Sequence, residues 1–139
     1  LSASFTDSIL DQFGFRPTGS TTGALIAILH SVTNLLATNP YVCIIALDFS
    51  KAFDTVRHST LLEKMAKLEI PDNVYNWLVD FFHGHAHCTQ YNGIVSALHE
   101  ITASLIQGSS LGPSSYVVNA ADLKAVTKGN GMTKFADDT

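Results

Sequence analysis

Charge is scarce in this chain: eight Lys and Arg and twelve Asp and Glu make up 14% of 139 residues and leave a net charge of −4. That excludes a charge-laced coiled coil, and with it the broad basic face that marks many nucleic-acid binders. Any contact with a polyanion has to be local or assisted by cations. Cysteine is as sparse. Cys43 and Cys88 stand 45 positions apart, one in an apolar run and the other beside histidines. This is the pattern of reduced intracellular thiols rather than of a disulfide framework, and it does not choose between nucleus and cytoplasm. Long apolar runs are missing too. The longest, Tyr41 to Leu47, has seven residues, where a bilayer span needs roughly 20, so no membrane partner is expected. Leu1 to Ser4 carry neither an initiator Met nor a basic stretch, and the expectation is a chain that begins inside a longer protein.

What the chain does have is apolar content, 46% of its residues, enough to bury a core in one compact domain or a large piece of one. Apolar positions at Leu25, Ile28, Leu29, Val32, Leu35 and Leu36 share one helical face, predicting a helix over 20–37 closed by Asn39-Pro40. Val42 to Leu47 is apolar on both faces and rich in β-branched residues, as in a central strand, and Asp48 ends it. Thr60 and Glu63 have capping-box spacing for a helix running to about Leu68. Pro71 opens another helix, with Val74, Trp77, Leu78, Phe81 and Phe82 on one face, ending at Gly84.

The period then changes. Residues 85–91 and 94–101 flank Asn92-Gly93, a strong hairpin signal. A glycine-punctuated loop from Gln107 to Pro113 leads into a predicted helix over 114–126. Gly129-Asn130-Gly131 turns the chain into a last strand, 132–136, that meets Asp137-Asp138. The order implies an α+β fold, with helices packed on a mainly antiparallel sheet.

Two predicted strands thus end in carboxylates, at Asp48 and at Asp137-Asp138. Side by side, they would bring three carboxylates to one end of the sheet. Such a group stays ionised only around a cation, and oxygen-only ligands suit Mg²⁺ or Mn²⁺ rather than zinc. A single Asp after a strand is usually a turn residue. The adjacent pair argues against that, because neighbours on a regular strand face opposite ways and only a tight turn lets both approach one site.

Four runs, Gln12-Phe13-Gly14-Phe15-Arg16-Pro17, Asp48-Phe49-Ser50-Lys51-Ala52-Phe53-Asp54, Gln107-Gly108-Ser109-Ser110-Leu111-Gly112-Pro113 and Phe135-Ala136-Asp137-Asp138, resemble in order and spacing the reverse transcriptase of non-LTR retrotransposons. The resemblance covers almost the whole chain. It implies a reverse-transcriptase palm-like fold, incomplete at both ends: the end of the fingers region and the palm over 1–139, without the second strand of the aspartate hairpin or the thumb.

It also implies an RNA-directed DNA polymerase whose Asp48, Asp137 and Asp138 are catalytic and hold two Mg²⁺ or Mn²⁺ ions. Phe53 resembles the aromatic gate beneath the incoming sugar, and Gln107 and Gly108 the loop lining the nucleotide and template pocket. The implied partners are an RNA template, a DNA primer, deoxynucleoside triphosphates and the remainder of a parent polyprotein. Ile106 replaces the family's usual Pro before Gln-Gly, and Ser114-Ser115-Tyr116 replaces a bulky apolar stretch.

Other readings compete. A non-catalytic nucleic-acid or protein interaction module from a decayed or domesticated element would keep the fold and lose the chemistry. A metal-dependent phosphohydrolase would need a water-activating base, and no residue suggests one. His83, His85, His87 and Cys88 fit a solvated hairpin face better than a zinc site. Lys51, Arg57, Lys64 and Lys67 are candidate phosphate contacts. The chain alone is expected not to extend a primer, its last strand to be an unpaired edge and its aspartate turn to lack an anchor.

Overall fold

A computed structural model describes residues 9–139. In these residues the elements run α1 (Thr21–Leu36), α2 (His58–Met65), α3 (Asp72–Phe82), β1 (Ala86–His87), β2 (Gln90–Tyr91), β3 (Ile94–Val95), β4 (His99–Glu100) and α4 (Leu111–Asn119). The class is α+β with short antiparallel sheets, as the sequence pattern implies.

Helix α1 starts where expected because Ser20, in extended conformation, caps it: its Oγ accepts the Gly23 N–H at 3.0 Å. At the other end the Asn39 side chain donates to the Leu35 carbonyl at 2.8 Å. The apolar face is a different matter. Only Ala24 is buried, while Leu25, Ile26 and Leu29 are all more than 60% exposed. Periodicity reports that a helix has an apolar face; it does not report what covers it.

Helix α2 begins two residues before Thr60, so the expected capping box does not form, and the N-cap is Arg57 without a side-chain bond. A crossing strand of chain takes over that role. The His58 N–H donates to the Thr102 carbonyl at 3.0 Å and the Ser104 N–H to the Val56 carbonyl at 2.9 Å, on either side of an antiparallel Arg57–Ala103 bridge. Helix α3 follows Pro71 and stops before His83 and the left-handed Gly84, φ +62°, close to expectation. Helix α4 starts at Leu111 rather than Ser114 and ends at Asn119 rather than Val126. Pro113 fits in its first turn, where an N–H would have no helical partner.

The main core lies among α2, α3 and α4. Leu61, Met65, Leu78, Phe82 and Tyr116 are buried there with Ala52, Val56 and Leu105 from the connecting segments. Burial of each large apolar side chain contributes about 1.5–3 kcal/mol.

The Asn92-Gly93 hairpin forms with Gln90 opposite Val95 and Tyr91 opposite Ile94. Both turn residues have positive φ, +48° and +76°, as a type I′ turn requires. Further from the turn, Ala86 pairs with Glu100 and His87 with His99. The register slips by one residue between the two ladders, a bulge bridged by the Ser96 Oγ, which accepts the Thr89 N–H at 2.9 Å.

Two predicted strands are not strands. Residues 42–47 form no ladder, and Ile44 and Ile45 are 66% and 73% exposed. Residues 132–136 form isolated bridges only. A strand exists through a continuous hydrogen-bonded neighbour, and apolar β-branched residues cannot supply that neighbour themselves.

Candidate active site

Three segments distant in sequence meet at the end of the chain that carries the aspartates. The Lys134 N–H donates to the Asp11 carbonyl and the Phe13 N–H to the Lys134 carbonyl, both at 2.7 Å, in a parallel bridge centred on Gln12. The expected unpaired edge at 132–136 is therefore joined at Lys134 to the segment 11–13. Next, Phe135 and Asp138 exchange backbone hydrogen bonds of 2.8 and 3.1 Å. This closes a two-residue turn on Ala136-Asp137, with φ +56° at Ala136. Finally Leu47 and Thr139 exchange bonds of 2.6 and 2.9 Å. The aspartate turn, expected to lack an anchor, is held on both sides, and Asp48 directly follows the residue that pairs with Thr139.

Asp48 and Asp138 are exposed and Asp137 half-buried. Asp48 and Asp137 act on a common neighbour, the Tyr116 phenol, whose pKa is raised by burial first and then by the negative charges of Asp137 and Asp48. The phenol is therefore neutral across the physiological range. Among the described residues no three His, Cys, Asp or Glu side chains form a cluster able to hold a metal ion. The expected meeting of Asp48, Asp137 and Asp138 is thus a meeting of backbone segments, without a ready-made three-carboxylate cage.

Phe53 lies five residues after Asp48, beyond a turn in which Lys51 has φ +55° and its carbonyl accepts from Asp54 and Thr55. Its ring stacks on Tyr116, centroids 4.9 Å apart and planes 11° apart, and meets the edge of Phe15 at 5.9 Å. Phe53 is half-buried against the main core. Gln107 and Gly108 are exposed at the centre of a tight turn. The Ser109 N–H returns to the Ile106 carbonyl at 3.2 Å, and Gly108 takes φ +84°, the position of a type II turn that favours glycine.

The basic candidates divide. Lys64 is committed elsewhere, to Asp122 at 2.7 Å and to the Asn119 carbonyl, whereas Lys51, Arg57 and Lys67 are exposed. His83, His87 and Cys88 are exposed as well, and the half-buried His85 donates from Nδ1 to the Phe81 carbonyl, 2.9 Å away. The solvated hairpin face is what the structure has.

Sequence reasoning missed Gln12, Tyr116, His58 and Lys134 as structural centres of this region and its surroundings. Gln12 and Lys134 are 2% and 1% exposed, and nothing in a Gln or Lys codes for burial. Lys134 stays inside because its Nζ donates to the Ala120 and Leu123 carbonyls, each at 3.0 Å, and lies 3.2 Å from Asp11. Burial nonetheless lowers its pKa, the Asp11 charge opposing that shift. His58 is buried against Phe82, with one ring nitrogen on the Ser104 carbonyl at 2.7 Å.

The α+β chain thus ties an Asp-ended segment to an Ala-Asp-Asp turn beside stacked aromatics. Residues 6–139 match the family model described as reverse transcriptase (RNA-dependent DNA polymerase). The chain belongs to that family. It is 30% identical over 135 residues to the RNA-directed DNA polymerase from mobile element jockey of Drosophila melanogaster, which covers 92% of this chain and 15% of that protein. It is also 30% identical over 134 residues to the jockey polymerase of Drosophila funebris, covering 91% of this chain and 14% of that protein. The chain spans about one seventh of the length of these relatives. No helix among the described residues is long and apolar enough to cross a membrane.

Proposed function

We propose that this chain carries the nucleotidyl-transfer centre of an RNA-directed DNA polymerase, acting on an RNA template, a DNA primer and deoxynucleoside triphosphates within a longer polyprotein. The observation that carries the reading is the mutual Leu47–Thr139 pairing, which joins the segment ending in Asp48 to the turn bearing Asp137 and Asp138. Family membership supplies the reaction class.

The carboxylates of Asp48, Asp137 and Asp138 suit hard divalent ions, and two of them already bear on one phenol. Bound there, two Mg²⁺ or Mn²⁺ ions would supply activation of the primer hydroxyl and neutralisation of the triphosphate. The chain's own residues do the positioning. The Phe53 ring, stacked on Tyr116 and T-shaped to Phe15, would lie under the sugar and refuse a 2′-hydroxyl. Tyr116, neutral at working pH, supports that ring without adding a charge beside the carboxylates. The Gln107-Gly108 turn presents backbone without a side chain at Gly108, so that a nucleotide or template strand can approach closely.

Single-nucleotide incorporation on a primed RNA by a full-length polymerase carrying this segment tests the reading. Asp48→Ala, Asp137→Ala and Asp138→Ala are each expected to abolish incorporation, and retained activity in any of them removes that residue from the centre. Phe53→Val is expected to admit ribonucleotides; an unaltered preference for deoxynucleotides removes the gate role. The 139-residue chain by itself is expected to give no extension. Holding both reactants in near-attack geometry can account for roughly 7–11 kcal/mol of barrier, and a chain this short with net charge −4 holds a duplex weakly.

A further inference from the structure

The aspartate turn has an unfavourable feature at its first central position. Ala136 takes φ +56°, a left-handed conformation that is unfavourable for an L-residue with a Cβ. A glycine there would adopt it freely, so something outside the turn holds the alanine in place.

That support is Gln12, 124 residues away in sequence. Its side chain is buried, 2% exposed, and its amide grips both backbone groups of Ala136. The Oε1 accepts the Ala136 N–H at 3.0 Å and the Gly14 N–H at 2.9 Å, while the Nε2 donates to the Ala136 carbonyl at 3.2 Å. Gly14 completes the grip by bringing backbone against backbone: a Cβ added there would lie 2.2 Å from the Ala136 nitrogen. Both residues belong to the run Gln12-Phe13-Gly14-Phe15, and the parallel bridge at Lys134 anchors the same run to the segment that enters the turn.

We propose that Gln12, with Gly14 as its backbone seat, is the positioning residue of the aspartate turn, setting the geometry with which Asp137 and Asp138 take up a divalent cation. It touches neither substrate nor metal. It acts through Ala136, the residue immediately before Asp137, and a carboxylate pair on an unbraced two-residue turn would sample orientations that waste its affinity. The proposal rests on the reading of Asp137 and Asp138 as cation ligands.

The test uses a full-length polymerase carrying this segment and hydrogen exchange read by mass spectrometry on the peptide spanning 132–139, with and without Mn²⁺. Unsubstituted protein is expected to protect this peptide without metal and to protect it further as Mn²⁺ is titrated in. Gln12→Met, close to Gln in size but without the amide, is expected to lose the metal-free protection and raise the half-saturating Mn²⁺ concentration about tenfold. That equals about 1.4 kcal/mol. The half-saturating Mg²⁺ for incorporation should rise in parallel, with KM for primed template unchanged. Gly14→Ala should do the same by collision rather than by lost hydrogen bonds, so that one variant's failure to fold leaves the other to decide. Asp137→Ala separates the two ideas: it should keep the metal-free protection and lose the Mn²⁺ response. If the unsubstituted protein shows no Mn²⁺ response, the cation reading falls. If it responds and Gln12→Met or Gly14→Ala folds with an unmoved half-point, the brace alone is overturned.

Discussion

Two regions of this molecule are held together by different physics. Around α2, α3 and α4 the chain is held by apolar burial: Leu61 is wholly inaccessible, and Met65, Leu78, Phe82 and Leu105 nearly so. At the aspartate end the most deeply buried residues are Gln12 and Lys134, both polar, beside a small apolar cluster of Ile9, Val117 and Ala121, and the contacts that join segments 11–14, 47 and 134–139 are hydrogen bonds. Apolar packing is non-directional and tolerates substitutions of similar size. Hydrogen bonds fix distance and direction, and a buried polar group punishes any change that strands its partner. The molecule thus has its adaptable packing among the helices and its directional contacts around Asp48, Asp137 and Asp138.

The most severe loss of stability is expected in the apolar region. Leu61→Ala empties a fully enclosed site on α2 and should cost about 2–5 kcal/mol, in the upper part of that range because helices on two sides limit collapse. Denaturant unfolding measures it. Leu61→Met, which nearly conserves volume, should cost less than about 1.5 kcal/mol, and a large loss there would mean that the apolar region is as exacting as the polar one.

Next comes Lys134→Met, which keeps the bulk and removes the charge. It leaves the Ala120 and Leu123 carbonyls without their donor and Asp11 with Lys124 alone, 2.9 Å away. Removing one partner of a buried pair costs about 3–5 kcal/mol, and the surviving Lys124 contact places this variant at the low end. The pH dependence carries a signature. The folded pKa of Lys134 is lowered, by burial above all, so between that lowered value and the ordinary lysine value the unfolded chain binds more protons. Stability from this group therefore rises with pH through the window, and Lys134→Met should abolish the rise. Tyr116 works oppositely: its raised pKa makes the unfolded chain lose the phenolic proton first, so stability falls with pH above the ordinary tyrosine range.

A smaller effect sharpens the contrast between glycines. Gly93→Ala in the hairpin meets no atom within 4 Å and suffers only from φ +76°, a cost of about 1 kcal/mol. Its measurement by thermal unfolding should show a loss well below that of Gly14→Ala, whose Cβ collides with the Ala136 backbone. Equal losses would mean that the polar region yields as easily as an exposed turn.

These contrasts also explain what the amino-acid order made legible. Helices α1 and α3 and the Asn92-Gly93 turn were readable because their determinants are local: Ser20, Pro71 and two residues able to take positive φ. The start of α2 was not, since its first N–H is satisfied by Thr102 rather than by Thr60 or Glu63. The strand expected over 42–47 failed for the same kind of reason, because pairing belongs to two segments and the pattern lies in one. The motif runs marked Asp48, Phe53, Gln107 and the Asp137-Asp138 turn as candidates, while Gln12 and Tyr116 stood inside or beside those runs with no role assigned. A brace is defined by what it holds, and Ala136 is 124 positions downstream.

The smallest effect expected is at the salt bridge between the two regions' peripheries, Lys64 to Asp122. Its 2.7 Å contact looks strong, yet the Asp122 side chain is 71% exposed, and a pair so open to water is worth at most about 1 kcal/mol. The hydrogen bond from Lys64 does lower the Asp122 pKa, against a smaller opposing effect of burial. The contribution is therefore complete above the ordinary carboxylate pKa and fades as pH falls through the lowered folded value. Asp122→Asn should cost less than about 1 kcal/mol near neutral pH by denaturant unfolding, less still in high salt, and nothing once acid has protonated the wild-type carboxyl. Lys64→Met should cost more, because it also removes the donor to the Asn119 carbonyl at the end of α4, and that part should persist in salt and acid. If Asp122→Asn cost as much as Lys134→Met, exposure would have failed to separate surface charge from buried charge in this molecule. The division into an apolar scaffold and a polar, directional aspartate end would then need a third, electrostatic component.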